Sequence, residues 1–106
     1  MVHRLVVSYG QPEDPAEFDA HYRDTHIPLT VQMPGLVRFT TGKPQALDPR
    51  QSAPYFVAHL DFDSEQAMGA AFASEAGKAS AADLRTFASG GATMTHYEVN
   101  EVHVSR

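Results

Sequence analysis

The stretch YFVAHLDF, Tyr55 to Phe62, constrains this chain more than any other. Phe56, Ala58, Leu60 and Phe62 take alternate positions, with Tyr55, Val57, His59 and Asp61 between them. Period-two alternation marks a strand, and a parity that is purely apolar means that one face of its sheet is covered. The rest of the chain must therefore supply both partner strands and a covering layer.

One partner is expected at His3 to Tyr9, where Leu5, Val7 and Tyr9 share a parity and Arg4, Val6 and Ser8 share the other. Asp14 then stands as a helix N-cap, with Pro15 at the first helical position and Glu17 where a capping box places an acid. A helix is predicted from Pro15 to about His26 or Ile27. Pro28 disfavours helical geometry in the residue before it, and Pro34-Gly35 forces a turn. Leu36 to Thr41 alternates as another strand, and a Pro-rich loop follows from Lys43 to Pro54. An Ala-rich helix is expected from Ser64, ended by Gly77, then a second helical piece from Ala79 to Phe87. The last strand is expected from about Thr93 to Val104.

That order, β-α-β-β-α-β over a single domain of residues 1–106, predicts an α+β, ferredoxin-like fold. Its four-stranded antiparallel sheet carries helices on one face. If the other face keeps apolar residues, as the first strand suggests, a second copy laid sheet to sheet would hide it, which predicts a homodimer.

Composition narrows the partners. Eight Lys and Arg against thirteen Asp and Glu give a net charge of -5, and no basic run is present to neutralise phosphates, so neither nucleic acid nor an anionic membrane is an expected partner. No run approaches the roughly 20 apolar residues of a membrane span, and no leader pattern is seen, so a cytoplasmic location is expected. With no cysteine, any catalysis must use oxygen and nitrogen groups. The GxGxxG, P-loop, GxSxG and HExxH signatures are absent, and no cofactor or metal is expected.

Chemistry points to the segment FDAHYRDTHIPL. Phe18, Tyr22 and His26 advance four residues at a time and lie along one stripe of a helix. At the sheet-facing end of that stripe, His26 is placed to act as general acid or base beside a small enclosed substrate. The alternative is that its ring hydrogen-bonds the backbone to finish the helix before Pro28. On a regular helix His21 and His26, five residues apart, point about 140° apart, so a shared metal is not expected. Arg23 and Asp24 fall on the solvated side. Tyr55 and His59 share the second parity of their strand, and His59 is assigned to the dimer side. His96 and Glu98 share a face of the last strand, while His3 and His103 are expected to become cross-strand neighbours. Arg38 is a further group able to hold a carboxylate.

FDAHYRDTHIPL followed by MPGLVRF resembles the signature of the EthD family: a tyrosine, a His-x-Pro step, then Pro-Gly-Leu before a strand. YFVAHLDFDSEQAMGAAFAS and AADLRTFASGG extend the resemblance over nearly the whole chain. It implies a dimeric α+β barrel and a small oxidoreductase-type enzyme. Relatives on that barrel include cofactor-free monooxygenases, polyketide cyclases and muconolactone isomerases, all of which move protons on small apolar substrates. His26 matches the family histidine. The expected function is thus cofactor-independent acid/base chemistry on a small apolar, aromatic or lactone-like metabolite. His26 would be catalytic, Tyr22 would orient the substrate, and Phe18, Phe39 and Phe56 would supply an apolar wall. The alternative is a carrier that holds such a metabolite for a separate oxygenase.

Overall fold

The computed structural model describes residues 1–105. Four strands, β1 (Val2–Tyr9), β2 (Arg38–Gly42), β3 (Phe56–Phe62) and β4 (Ala92–Val99), form one sheet in the order β2-β3-β1-β4. All three pairings are antiparallel. The helical segments are α1 (Pro15–His21), a π-helical turn (Tyr22–His26), α2 (Ile27–Thr30), α3 (Glu65–Ala73) and α4 (Glu75–Phe87). This is the ferredoxin-like order that the strand and helix patterns predict. No helix among the described residues is long and apolar enough to cross a membrane.

Register explains which face is covered. Leu5 pairs with Leu60, Val7 with Ala58 and Tyr9 with Phe56, and directly paired residues point to the same side of a sheet. Leu5, Val7, Tyr9, Ala58, Leu60 and Phe62 are all buried and join Phe18, Tyr22 and Phe87 in one core. The opposite parity carries Arg4, Val6, Thr40, His59, Asp61 and Tyr97, so the open face is mixed rather than apolar. On it, Arg4 donates from Nε and Nη2 to the two oxygens of Asp61, at 2.7 and 3.0 Å.

Four local expectations need correction. The first helical run does not stop before Pro28: it continues to Thr30, because the chain widens by one residue at Tyr22–His26, where the Ile27 N–H donates to the Tyr22 carbonyl five residues back. Pro28 then falls in the first turn of α2, directly after the widened turn. The break between the later helices is at Ser74, not Gly77. Ser74 closes α3 and, through its hydroxyl, accepts the Gly77 N–H at 3.1 Å to open α4. Gly77 is a close-approach residue: a Cβ there would lie 2.6 Å from the Phe72 Cα and meet the Ala71 carbonyl. Finally, β4 ends at Val99, and residues 100–105 are irregular. His3 consequently has no strand partner at His103. It lies opposite Glu98, and its Nε2 is 2.8 Å from Nδ1 of His96. By contrast, Asp14 caps α1 as the sequence predicts, accepting the Glu17 N–H at 3.1 Å, and Gly35 takes the left-handed φ of 81° that the Pro34-Gly35 turn requires.

Candidate functional site

The widened turn decides the site. In an i→i−5 segment five residues come close to one full turn, so His21 and His26, which would diverge on a regular helix, both face α4. There they meet one carboxylate. Asp83 Oδ2 is 3.0 Å from Nδ1 of His26, and its Oδ1 and Oδ2 are 2.9 and 3.0 Å from Nε2 of His21. Thr86 Oγ1 lies 3.0 Å from Asp83 Oδ1. The expected divergence of the two imidazoles is therefore overturned by the backbone, not by the side chains.

His26 is 5 % exposed. Its ring packs on Tyr22 and Phe87, with centroids 5.1 and 4.9 Å away, and it lines a cavity between α4 and the sheet. Asp83 takes the Nδ1 side of the ring; Nε2 has no hydrogen-bond partner among the described residues. A carboxylate accepting from Nδ1–H holds the imidazole in the tautomer whose lone pair is on Nε2. Burial lowers the His26 pKa from its ordinary value, and the hydrogen bond and charge of Asp83 oppose that only in part. The ring is thus neutral at pH 7 and equipped to accept a proton. For Asp83, burial pushes the pKa up, but the hydrogen bonds from His21, His26 and Thr86 outweigh it and hold it below the usual carboxylate value.

The cavity wall is apolar apart from a few converging groups. Thr30 Oγ1 and Ser80 Oγ, both buried, are 2.8 Å apart and satisfy each other. Tyr9 and Tyr22 reach the same space, and burial pushes both phenols well above the ordinary tyrosine range, so they stay protonated and able to donate. Leu60, Phe39, Phe72, Leu84 and Met94 supply the apolar lining. The cavity measures about 20 Å³, which is room for one water. Any larger ligand must displace side chains, and Met94, 43 % exposed on the edge strand β4, is the least confined of the large apolar side chains that line it.

An EthD domain matches residues 10–91. The chain belongs to the EthD family. It is similar to an uncharacterized 11.0 kDa protein of Rhodococcus erythropolis encoded in the thcB-thcC intergenic region, with 45 % identity over 93 residues, 88 % of this chain and 90 % of that protein. The crystal structure of an EthD family protein from Bacillus halodurans superposes with a TM-score of 0.86 at 33 % identity, covering 94 % of this chain and all of that one. A more distant likeness, to the cofactor-independent oxygenase SnoaB of Streptomyces nogalater, has a TM-score of 0.63 at 19 % identity over 95 % and 94 % of the two chains. It shows a shared fold.

Within this EthD chain, His26, Tyr22 and Phe39 come together at the cavity, whereas Phe18 and Phe56 do not. Phe18 is sealed in the aromatic core between Tyr9, Tyr55 and Phe87. Phe56 packs against Tyr22 with the rings tilted by 59° and 4.5 Å between centroids, and faces a separate shallow recess with Lys43. Phe56 misses the wall because it begins β3, at the end of the strand that packs on Phe18 of α1. Tyr55 donates to Asp19 at 2.8 Å, and His59 lies on the open face, paired with Thr40. Arg38 lies opposite Asp61 on that same face. His96 and Glu98 share the helix side of β4, and His96 is bonded to His3 rather than to Glu98. No group of three or more His, Asp or Glu among the described residues is arranged to hold a metal ion.

Asp83, Thr30, Ser80 and Tyr9 were not singled out by the sequence pattern. Asp83 had a signal nonetheless: it stands three residues after Ser80 and four before Phe87, which are both buried on α4. An acid on the inward stripe of a helix needs a partner.

Proposed function

We propose that this EthD protein is a small enzyme in which His26, oriented by Asp83, removes a proton from a small, largely apolar carbon acid or phenol without the help of a bound cofactor. One observation carries the reading: a buried imidazole is bonded at Nδ1 to an aspartate, and its Nε2 is left to an apolar cavity. A carrier needs neither an ionised carboxylate under its pocket nor a fixed tautomer, and enclosing such a carboxylate carries a desolvation cost. The arrangement supports general-base catalysis, commonly a contribution of about 10²- to 10⁴-fold.

In the proposed step Nε2 takes a proton from carbon beside a carbonyl, or from a phenolic oxygen. The imidazolium that forms is stabilised by Asp83 at 3.0 Å. The neutral hydroxyls of Tyr22 and Tyr9 are the donors available to the developing oxyanion. An enolate or phenolate held in this way can be reprotonated elsewhere, which is isomerisation, or can close a ring. It can also react with oxygen, an outcome in keeping with the fold likeness to a cofactor-independent oxygenase. We also propose that two copies associate through the open sheet face, a reading supported by the fold likeness to dimeric ferredoxin-like proteins of Thermobifida fusca and Jannaschia, with TM-scores of 0.70 and 0.66.

Two measurements test the base assignment. Long-range ¹⁵N correlation of the imidazole at pH 7 is expected to place the His26 proton on Nδ1. A ring protonated on Nε2 would rule out its acting as a base. In D₂O, 2-tetralone, a bicyclic ketone with an activated methylene, is expected to exchange its hydrogens faster with the protein than with a folded His26→Gln variant. Equal rates would remove His26 from the reaction. Light scattering that gives the monomer mass at micromolar concentration would remove the dimer.

A further inference from the structure

One hydrogen in the cavity wall is left over. Thr30 of α2 and Ser80 of α4 are 2 % and 6 % exposed, and their hydroxyl oxygens are 2.8 Å apart. Each oxygen has a partner in the other, but two hydroxyls carry two hydrogens and a single contact uses only one of them. Neither hydroxyl reaches a second polar group among the described residues, although serine and threonine in helices often return their hydrogen to a carbonyl one turn back. Both residues line the cavity that His26 lines. A buried O–H without an acceptor is costly, and its presence calls for a reason.

The way α4 crosses the first helical run fixes where this hydrogen lies relative to the base. Tyr22 meets Phe87, His26 meets Asp83 and Thr30 meets Ser80, so the two segments run antiparallel. Tyr22 comes four residues before His26 and Thr30 four residues after it. The cavity therefore has hydrogen-bond donors on both sides of the imidazole: the phenol of Tyr22 on one, the Thr30–Ser80 pair on the other. No lysine or arginine is among the residues that line it.

We propose that the Thr30–Ser80 pair is a second oxygen-binding point, and that the substrate is a neutral compound with two oxygen functions: one beside the proton that His26 removes, and a carbonyl further along that accepts from the pair. The proposal rests on His26 acting as the base, which sets where the reacting end lies, and deepens that reading by naming what the rest of the molecule carries. A carbonyl presents only lone pairs, which suits a wall that offers a hydrogen. A carboxylate at the same point would be desolvated with no cation to meet it and with Asp83 close by, so the second oxygen is uncharged. The pair works away from the reacting atoms. It decides which molecules are held and in which direction, because an analogue without the second oxygen leaves the donor buried and unpaired.

Two phenols of nearly the same shape test this: 4-acetylphenol, whose carbonyl can accept, and 4-isopropylphenol, which has no oxygen at that place. Their affinities are measured by NMR titration, at a pH where both are un-ionised, for wild type, Thr30→Val, Ser80→Ala and the double variant. Each single variant keeps one hydroxyl, free to donate once its partner is gone, so the preference for 4-acetylphenol is expected to survive in at least one of them. The double variant keeps none, and the ratio of the two affinities is expected to fall about five- to tenfold. Removing both partners of a buried hydrogen bond is the milder change, so the double variant is expected to fold. Comparing ratios cancels the differences in acidity and hydrophobicity between the phenols. A pair that only ties α2 to α4 is broken by either single variant and shifts both affinities together, leaving the ratio where it was. A ratio unchanged in the double variant, or a wild-type protein that takes up neither phenol, overturns the proposal. The base assignment is judged separately by 2-tetralone exchange in His26→Gln, so either idea can fail while the other stands.

Discussion

Asp61 and Asp83 are both enclosed acids, one on each side of the same sheet, and they are satisfied in opposite ways. Asp61 sits under a two-pronged arginine, Arg4, whose hydrogen bonds and charge hold the carboxyl well below the usual range. Its partner never loses its charge in water. Asp83 is held by two imidazoles, His21 and His26, instead of by a permanently charged guanidinium. The first arrangement is complete and can only stabilise. The second includes His26, whose ring lines a cavity. A buried acid is therefore informative about function through the kind of base it faces, more than through its burial.

The contrast can be pressed by substitution. The largest effect is expected from His26→Gln, with 2-tetralone exchange falling about 10²-fold or more, while Asp61→Asn leaves that rate unchanged. Asp83→Asn is expected to lower exchange by about tenfold, because the ring loses the charged, acceptor-only partner that fixes its tautomer and stabilises the imidazolium. It should also move the His26 midpoint further down, since burial then acts unopposed; a midpoint that rises would sever the link between the two residues. Asp61→Asn is expected to cost about 1–2 kcal/mol in denaturant unfolding, at the low end for a broken enclosed pair because Arg4 is a quarter exposed and can turn to water.

Acidity separates the same two sites more gently. The folded His26 pKa lies below 6.5, so the unfolded chain binds a proton first, and stability is complete above pH 6.5 and declines as pH falls toward the folded value. Both aspartates have folded pKa values below 3.8. Their contribution is present above 3.8 and is lost as pH falls through the folded values. A His26→Gln variant is expected to lose only the upper of these two declines in urea titrations. The smallest effect is expected for Arg23→Ala. Its pair with Asp24 is fully solvated, and the unfolding midpoint should match wild type within error.

How much of this could be read in the sequence varies with how local the cause is. The alternation in Phe56–Phe62 and Leu5–Tyr9 is a property of the strands themselves, and Asp14-Pro15 is a signal contained in four residues; both are found in the fold. The helix boundary at Pro28 was misplaced because the rule about prolines assumes α-register, and nothing in Tyr22–His26 announces a π turn. The later helices divide at Ser74 because Gly77 is needed where α3 and α4 touch, a tertiary demand that resembles a helix stop when read as a string. The site divided along the same line. His26 and Tyr22 followed from spacing on one helix, whereas Asp83 reaches them from 57 residues away in the chain.

A chamber already filled by its own walls has a consequence for how it answers compression. Squeezing favours whichever form of a protein encloses less emptiness. Here the cavity beside His26 leaves room for about one water, and admitting a larger guest means moving Met94 and its neighbours outward. Hydrostatic pressure should therefore hold this molecule shut well before it threatens the fold.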